Sequence, residues 1–398
     1  MKSVAKMAFA GSLAIVLSNL FSAETAQAYP EFIGYGYASC VTCHYNGLGG
    51  GPLNDYGRAL WSAEIAAHPF YAPHKSDEEV ATDSGFLGSV PLPYWIRPHL
   101  KYRALELQTN PNPNGPQPAF YQMQADYGVT VAFDEDQKYL FSGTMGYAPA
   151  NYGSANNGLD RFWPTEYYFR VQPIESWFVY VGLLEKAYGL RTPDHESYQR
   201  AYQGFQIYHN NPAGTQNSQS VILQKIAEKW ELALDYFFGS PYEDVNYIEK
   251  GGSVLFEFDV AEKKRLGFGL LSSTDTADSK NMAEIHYKQA VSKGSSLLAE
   301  YGLIQDQFQG KSNNTGSYNL LELMINVKRG YNLVFSNERY SQLFNPTSPD
   351  QWRWMAGVLM WPIPRVEIRF DGINGRNLST SGAPADSWFL EGQVHVSL

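Results

Sequence analysis

The chain has 398 residues, with 40 Asp plus Glu against 30 Lys plus Arg and a formal charge of −10 at pH 7, a sign that disfavours a nucleic-acid partner. Its 28 Tyr, 22 Phe and 9 Trp coexist with a polar average composition. Aromatic girdles around a polar interior give outer-membrane barrels that mixture, and a soluble all-β secreted protein is the competing class.

Residues 1–28 read as a secretion signal: Lys2 and Lys6, an apolar run from Met7 to Phe21, then Ala26-Gln27-Ala28 at the cleavage positions. The mature chain is expected to begin near Tyr29. The apolar run is shorter than the roughly 20 residues a helix needs to cross a bilayer, and no later stretch comes closer. Membrane residence would therefore be as a barrel.

Cys40-Val41-Thr42-Cys43-His44 is a C-x-x-C-H sequence, the attachment pattern of c-type haem. Two thiols at this spacing reach the two porphyrin vinyl groups, and the imidazole that follows becomes the proximal iron ligand. A disulfide, a redox dithiol and half of a zinc site are the competing readings. A thioredoxin-like dithiol needs a βαβ surround, which is absent, and a structural zinc needs a fourth ligand from a chain with no further cysteine. Covalent attachment occurs outside the cytoplasm, so the signal and the motif support each other.

A glycine-rich turn, Gly47 to Gly51, follows. Pro52 to Trp61 then opens a helix toward Ala67, with Asn54 or Asp55 as N-cap and Pro69 as its stop after His68. Leu53, Tyr56, Leu60 and Ala63 share a face that would lie against a porphyrin or pack on protein. His68 is the first candidate for the distal iron ligand, with His74, His99 and Met123 as alternatives and an open sixth position as another outcome. The segment 29–85 is too short to wrap a haem by itself, so walls of the following region would complete the pocket.

From Pro91 to Leu398 the hydrophobic period is two. Arg97, His99, Lys101 and Arg103 alternate with Ile96, Leu100, Tyr102 and Ala104. Tyr121, Met123, Ala125, Tyr127, Val129, Val131 and Phe133 alternate with polar residues, as a lipid-facing strand requires. Similar stretches are Tyr139 to Tyr147, Trp230 to Phe238, Val254 to Val260, Leu321 to Val327, Trp352 to Met360, Val366 to Phe370 and Leu390 to Leu398. An even count near 16 is expected over 91–398. Tight connections (Asp134 to Gln137, Gln172 to Ser176, Ala227 to Lys229, Glu262 to Lys264, Pro362 to Pro364) alternate with long ones (Asn110 to Pro118, Pro149 to Pro164, Lys186 to Ala201, Asn210 to Ser218, Gln305 to Thr315, Asn374 to Ser387). That is the asymmetry of periplasmic and extracellular ends. Arg97, Lys101, Arg103, Glu257, Asp259, Glu322, Arg365, Glu367 and Arg369 are the inward-facing charges, which solvate a lumen, steer ions or hold haem propionates. The fold class is therefore mainly β: an outer-membrane antiparallel barrel preceded by a short helical monohaem segment.

The order of signal, C-x-x-C-H, Pro52-Leu53-Asn54-Asp55-Tyr56-Gly57-Arg58 and a barrel of this size resembles the fused monohaem cytochrome-porin family of outer-membrane iron oxidases. The likeness covers the whole chain as architecture and Cys40 to Trp61 as sequence. It implies one covalent haem c held by Cys40 and Cys43 with His44 on iron. It further implies an extracellular donor or acceptor such as Fe(II), a periplasmic carrier such as a soluble cytochrome, and Fe(II):cytochrome oxidoreductase activity. A porin whose haem segment is a plug or redox gate is the alternative, and a peroxidase or gas sensor with open iron is a third.

Overall fold

The computed structural model describes residues 30–37, 39–68, 73–86, 88, 90–110, 118–147, 162–190, 217–240, 248–276, 278–308, 314–343, 350–378 and 385–398. The signal segment 1–28, Pro69 and most of the long loops lie outside the described residues.

Sixteen antiparallel strands close on themselves, each paired with its sequence neighbours and the first with the last. They are β1 (Ile96–Asn110), β2 (Pro118–Ala132), β3 (Tyr139–Tyr147), β4 (Phe162–Ile174), β5 (Trp177–Glu185), β6 (Asn217–Ile226), β7 (Trp230–Phe238) and β8 (Lys250–Ala261). The second half comprises β9 (Lys264–Thr274), β10 (Asp278–Ser292), β11 (Ser295–Phe308), β12 (Asn314–Lys328), β13 (Tyr331–Leu343), β14 (Asp350–Ile363), β15 (Val366–Leu378) and β16 (Ala385–Ser397). Closure satisfies every ladder and leaves no open edge, the condition for β-structure in lipid. The seam is set by Lys101 opposite Ser397 and Arg103 opposite His395.

The alternation of each strand sorts residues as lipid demands. Phe169, Val181, Leu234, Leu270, Tyr301, Leu321, Trp354 and Leu390 are exposed on the outside. Glu166, Arg170, Gln224, Glu257, Arg265, Glu300, Glu338 and Arg353 are buried within. An apolar exterior around a charged interior inverts a soluble fold and marks a membrane cylinder. This is an outer-membrane barrel, and its apolar face meets lipid.

Several strands outrun their apolar cores. β4 begins at Phe162, β6 at Asn217, β11 ends at Phe308 and β16 begins at Ala385, inside segments that read as loops. Backbone pairing continues above the bilayer regardless of side-chain polarity, so composition ends a strand too early. β4 likewise reaches Ile174, three residues into a connection expected from Gln172.

The N-terminal segment fills one end of the lumen. It contains α1 (Pro30–Gly34), α2 (Cys40–Cys43), α3 (Asp55–Leu60), a π-helical turn over Trp61–Ile65, and α4 (Asp77–Thr82). It is pinned around the circumference at the end carrying the short turns. The Gly294 amide donates to Gly34 O (2.7 Å) and the Ala67 amide to Trp361 O (2.9 Å). Arg329 donates to Ala66 O (2.8 Å), Ser62 O (3.2 Å) and Asp77 (2.8 Å), and Arg365 to Asp83 O (3.1 Å). Phe32, Cys43, Leu60, Ile65 and Ala66 pack with Met324, Val334, Met355, Leu359 and Trp361 of the wall. Apolar burial therefore holds a plug inside an otherwise polar cylinder.

From the other side, the residues after β5 turn inward. Tyr188 Oη meets Tyr318 Oη at 3.3 Å, and the Leu190 amide donates to Glu300 at 2.9 Å. Leu190 packs with Ile33 of α1, so this segment meets the plug.

Candidate functional site: a plug–wall cavity around His44

The C-x-x-C-H sequence forms one helical turn and its exit. α2 holds Cys40 and Cys43, and the His44 amide closes the turn onto Cys40 O at 2.8 Å. The thiols are not joined in a disulfide. Burial first, and then Cys40, push the Cys43 thiol up to about 12. A redox dithiol needs the opposite, an exposed thiol of lowered pKa.

The residues after His44 make a tight return. Gly49, Gly50 and Gly51 have φ of +89°, +70° and +61° in succession, a left-handed run that only glycine adopts cheaply. It brings Leu53 back beside His44 as a β-bridge. The wall grips this return: the Gly47 amide donates to Tyr180 Oη (3.2 Å), Gln224 Nε2 to Gly47 O (2.9 Å), Lys101 Nζ to Gly51 O (2.9 Å) and Arg170 to Tyr45 O (3.0 Å). Ahead of the motif, Ser39 Oγ donates to Glu231 (3.0 Å).

α3 starts at the expected cap, Asn54, whose Oδ1 accepts from the Gly57 amide at 2.8 Å while its Nδ2 donates to Thr42 O at 3.0 Å. Gly57 is required by contact, since a Cβ there would lie 2.3 Å from Cys43 O. The helix does not run unbroken to Ala67. It widens into the π turn over Trp61–Ile65. Of the expected face, Leu53 and Leu60 pack on the apolar cluster between plug and wall, Leu53 also lining the cavity with Arg58, Trp61 and Ser62, whereas Tyr56 is half exposed.

The cavity has a volume of about 1040 Å³, counting the part open to solvent. Its plug side presents Glu31, His44 and Arg58, and its wall side His99, Lys101 and Arg103 of β1, Glu367 of β15 and His395 of β16. Burial, reinforced by the Lys101 charge, lowers His44 to about 3. His44 is thus a neutral imidazole, the form that ligates metal. Cys40 and Cys43 stand on the turn just before it, Cys43 fully buried and Cys40 half-buried.

His68 is not brought to this cavity. Its Nε2 lies 3.0 Å from Asp77 Oδ1 at the exposed edge of the plug. His74 is exposed, and the Met123 side chain lies outside the described residues. His99 does face the cavity, its Nε2 2.9 Å from Thr144 Oγ1. Of the expected inward charges, Glu257 and Asp259 surround Arg265 at 2.8 and 3.2 Å, with Glu231 at 3.4 Å. Arg97 instead binds Asp55 of the plug. His395, Gln224 and Glu231 escaped the sequence reading, although their phase on β16, β6 and β7 was the signal that would have placed them inside.

No family model matches the chain, and no curated protein matches it. Among solved structures it is similar to outer-membrane expressed OmpT of Vibrio cholerae, at 10% identity and TM-score 0.58 over 78% of this chain and 99% of that one. OprB of Pseudomonas putida gives 9% identity and TM-score 0.58 over 77% and 94%. An anion-selective porin from Comamonas acidovorans gives 9% and 0.54 over 76% and 99%. The chain therefore has the closed barrel fold of outer-membrane porins, and its place is the outer membrane.

Proposed function

We propose that the barrel is a scaffold for a covalent c-type haem and carries electrons across the outer membrane, as in the cytochrome-porin family. The observation that carries this reading is the setting of the C-x-x-C-H turn. Its histidine is buried and lines a cavity between plug and wall, inside a membrane cylinder. Cys40 and Cys43 would form the thioethers, His44 would ligate iron, and Lys101, Arg103 and Arg58 supply positive charge suited to propionates. The haem would supply one-electron chemistry, and burial with nearby charge tunes its potential. An apolar band about 25 Å tall blocks electrons unless a redox centre stands within it, and a haem on the plug would put one inside the lumen. The donor outside, Fe(II) or another reductant, and a periplasmic cytochrome-like acceptor would meet at its two ends.

The test is purification from a host that matures c-type haem, followed by reconstitution in liposomes. Added porphyrin mass, and reduction of an internal acceptor by external Fe(II) without solute leak, are the expected results. A polypeptide without porphyrin overturns the reading, and reduction by another donor but not iron removes only the iron assignment.

A second reading is favoured by the porin neighbours: a solute channel that the plug closes or gates. It requires passage of small solutes in one state of the plug, which the same liposomes report.

A further inference from the structure

Four cationic side chains converge on the cavity between plug and wall: Arg58 from α3, Lys101 and Arg103 from β1, and Arg365 from the short turn between β14 and β15. Its acidic lining is Glu31 and Glu367. Glu31 is pushed up to about 8, by burial first and by Glu367 next. At neutral pH it is therefore mostly uncharged, and within the lining Glu367 is left against the four cations.

Backbone carbonyls hold two of these cations. Among the described residues Arg58 donates to Leu53 O (3.3 Å) and Pro98 O (3.2 Å), and Lys101 Nζ to Gly51 O (2.9 Å). A carbonyl fixes the direction of a cation without cancelling its charge. The carboxylates that act on Lys101 are Asp126, opposite it on β2, and Glu166 of β4, and neither lines the cavity. Lys101 and Arg103 stand two positions apart on β1, which puts them on one face at a spacing of about 7 Å. The plug adds an apolar surface of Phe32, Leu53 and Trp61, the Phe32 and Trp61 rings edge to face at 5.6 Å. A few placed cations beside apolar and aromatic walls suit a ligand that carries an acid group on an apolar body.

We infer that this cavity binds a small organic anion, a carboxylate on an aromatic or similarly apolar body, with Arg58, Lys101 and Arg103 as its cationic receptors. The lining includes His44 but neither Cys40 nor Cys43, so the occupant need not be attached through those thiols. Such occupancy does not require the haem proposed above. Haem propionates are the other source of the same carboxylate chemistry, and protein with and without haem tells the two apart. Because Arg58 belongs to the plug and Lys101 and Arg103 to the wall, the site exists only when the plug is seated. The anion therefore favours the seated state by mass action.

The experiment uses the full-length protein folded in detergent, prepared from hosts with and without c-type haem maturation, and titrates benzoate by calorimetry. Benzamide, its neutral isostere, and inorganic phosphate, an anion without an apolar body, are the comparison probes. Benzoate is expected to bind both preparations, more weakly as salt rises, and to slow proteolysis of the plug. Benzamide and phosphate should bind at least about tenfold more weakly, and Lys101→Gln and Arg103→Gln should each weaken benzoate by about tenfold or more. Retention of a heat-modifiable barrel on a gel shows that a variant has folded, and either variant alone decides if the other does not fold. Equal binding of benzoate and benzamide, or unchanged affinity in a folded variant, overturns the site. Phosphate binding as tightly as benzoate overturns the ligand class. Binding to the haem-free protein that disappears when haem is attached gives the cations to the propionates and overturns a free ligand.

Discussion

Arg97, near the start of β1, grips Asp55, the first residue of α3, through two parallel bonds of 2.7 Å, Nε to Oδ1 and Nη2 to Oδ2. This bidentate fork ties the helix behind the C-x-x-C-H turn to the barrel wall. Because Asp55 is half exposed, Asp55→Asn should cost no more than about 1 kcal/mol, and less at high salt. Limited proteolysis of the plug at low and high salt would register the change, and a loss independent of salt would contradict it.

Gly57→Ala should be far more damaging, because its Cβ would meet backbone atoms of Cys43. Relaxing that clash requires moving the helix off the C-x-x-C turn. Overpacking at such a site costs roughly 1–3 kcal/mol or more, and the fraction of chains carrying covalent haem should fall. Alanine at Gly50 should cost about 1–2 kcal/mol through its positive φ, while Gly50→Asn should cost less. Haem content per polypeptide measures both.

Arg265 is buried among Glu231, Glu257 and Asp259. Removing the guanidinium takes the shared cation from Glu231 and Asp259, while Glu257 keeps Lys288 and His286 beside it. Arg265→Leu should destabilise the barrel by about 3–5 kcal/mol, and Arg265→Lys should recover part of that. The urea midpoint of the detergent-folded protein would decide, and a neutral Arg265→Leu would show that the carboxylates are independently solvated.

Glu31 on α1 is raised to about 8, chiefly by burial and next by the nearby Glu367 carboxylate. Its folded pKa exceeds the unfolded value near 4.3, so the folded state binds the extra proton. Stability from the neutral carboxyl is complete below the unfolded pKa and declines as pH rises toward 8. Glu31→Gln should flatten that decline and stabilise the protein at pH 8 and above by a few kcal/mol, to order of magnitude. Denaturation midpoints across pH 4–9 provide the check, and parallel pH curves for the two proteins would refute it.

The strands were legible because a membrane barrel writes its two environments into alternate residues. Tyr139 to Tyr147 and Trp230 to Phe238 coincide with β3 and β7, and the basic face of β1 points inward as its phase required. Strand ends were less legible. Ladders such as Gly375 opposite Ser387 and Arg376 opposite Asp386 extend through polar residues, and hydrogen bonding there has no compositional mark.

The sequence by itself determined the barrel, its strand number and the C-x-x-C-H turn, since each is local: a period of two, or a fixed spacing along one stretch of chain. Only the tertiary structure decided which side chains meet across the lumen. It set His68 on Asp77, turned His44 toward the wall, and brought His395 to the same cavity from 351 positions away. The physical reason is that closure of the sheet and docking of the plug create these contacts together, and no local periodicity encodes which strand a buried imidazole will face.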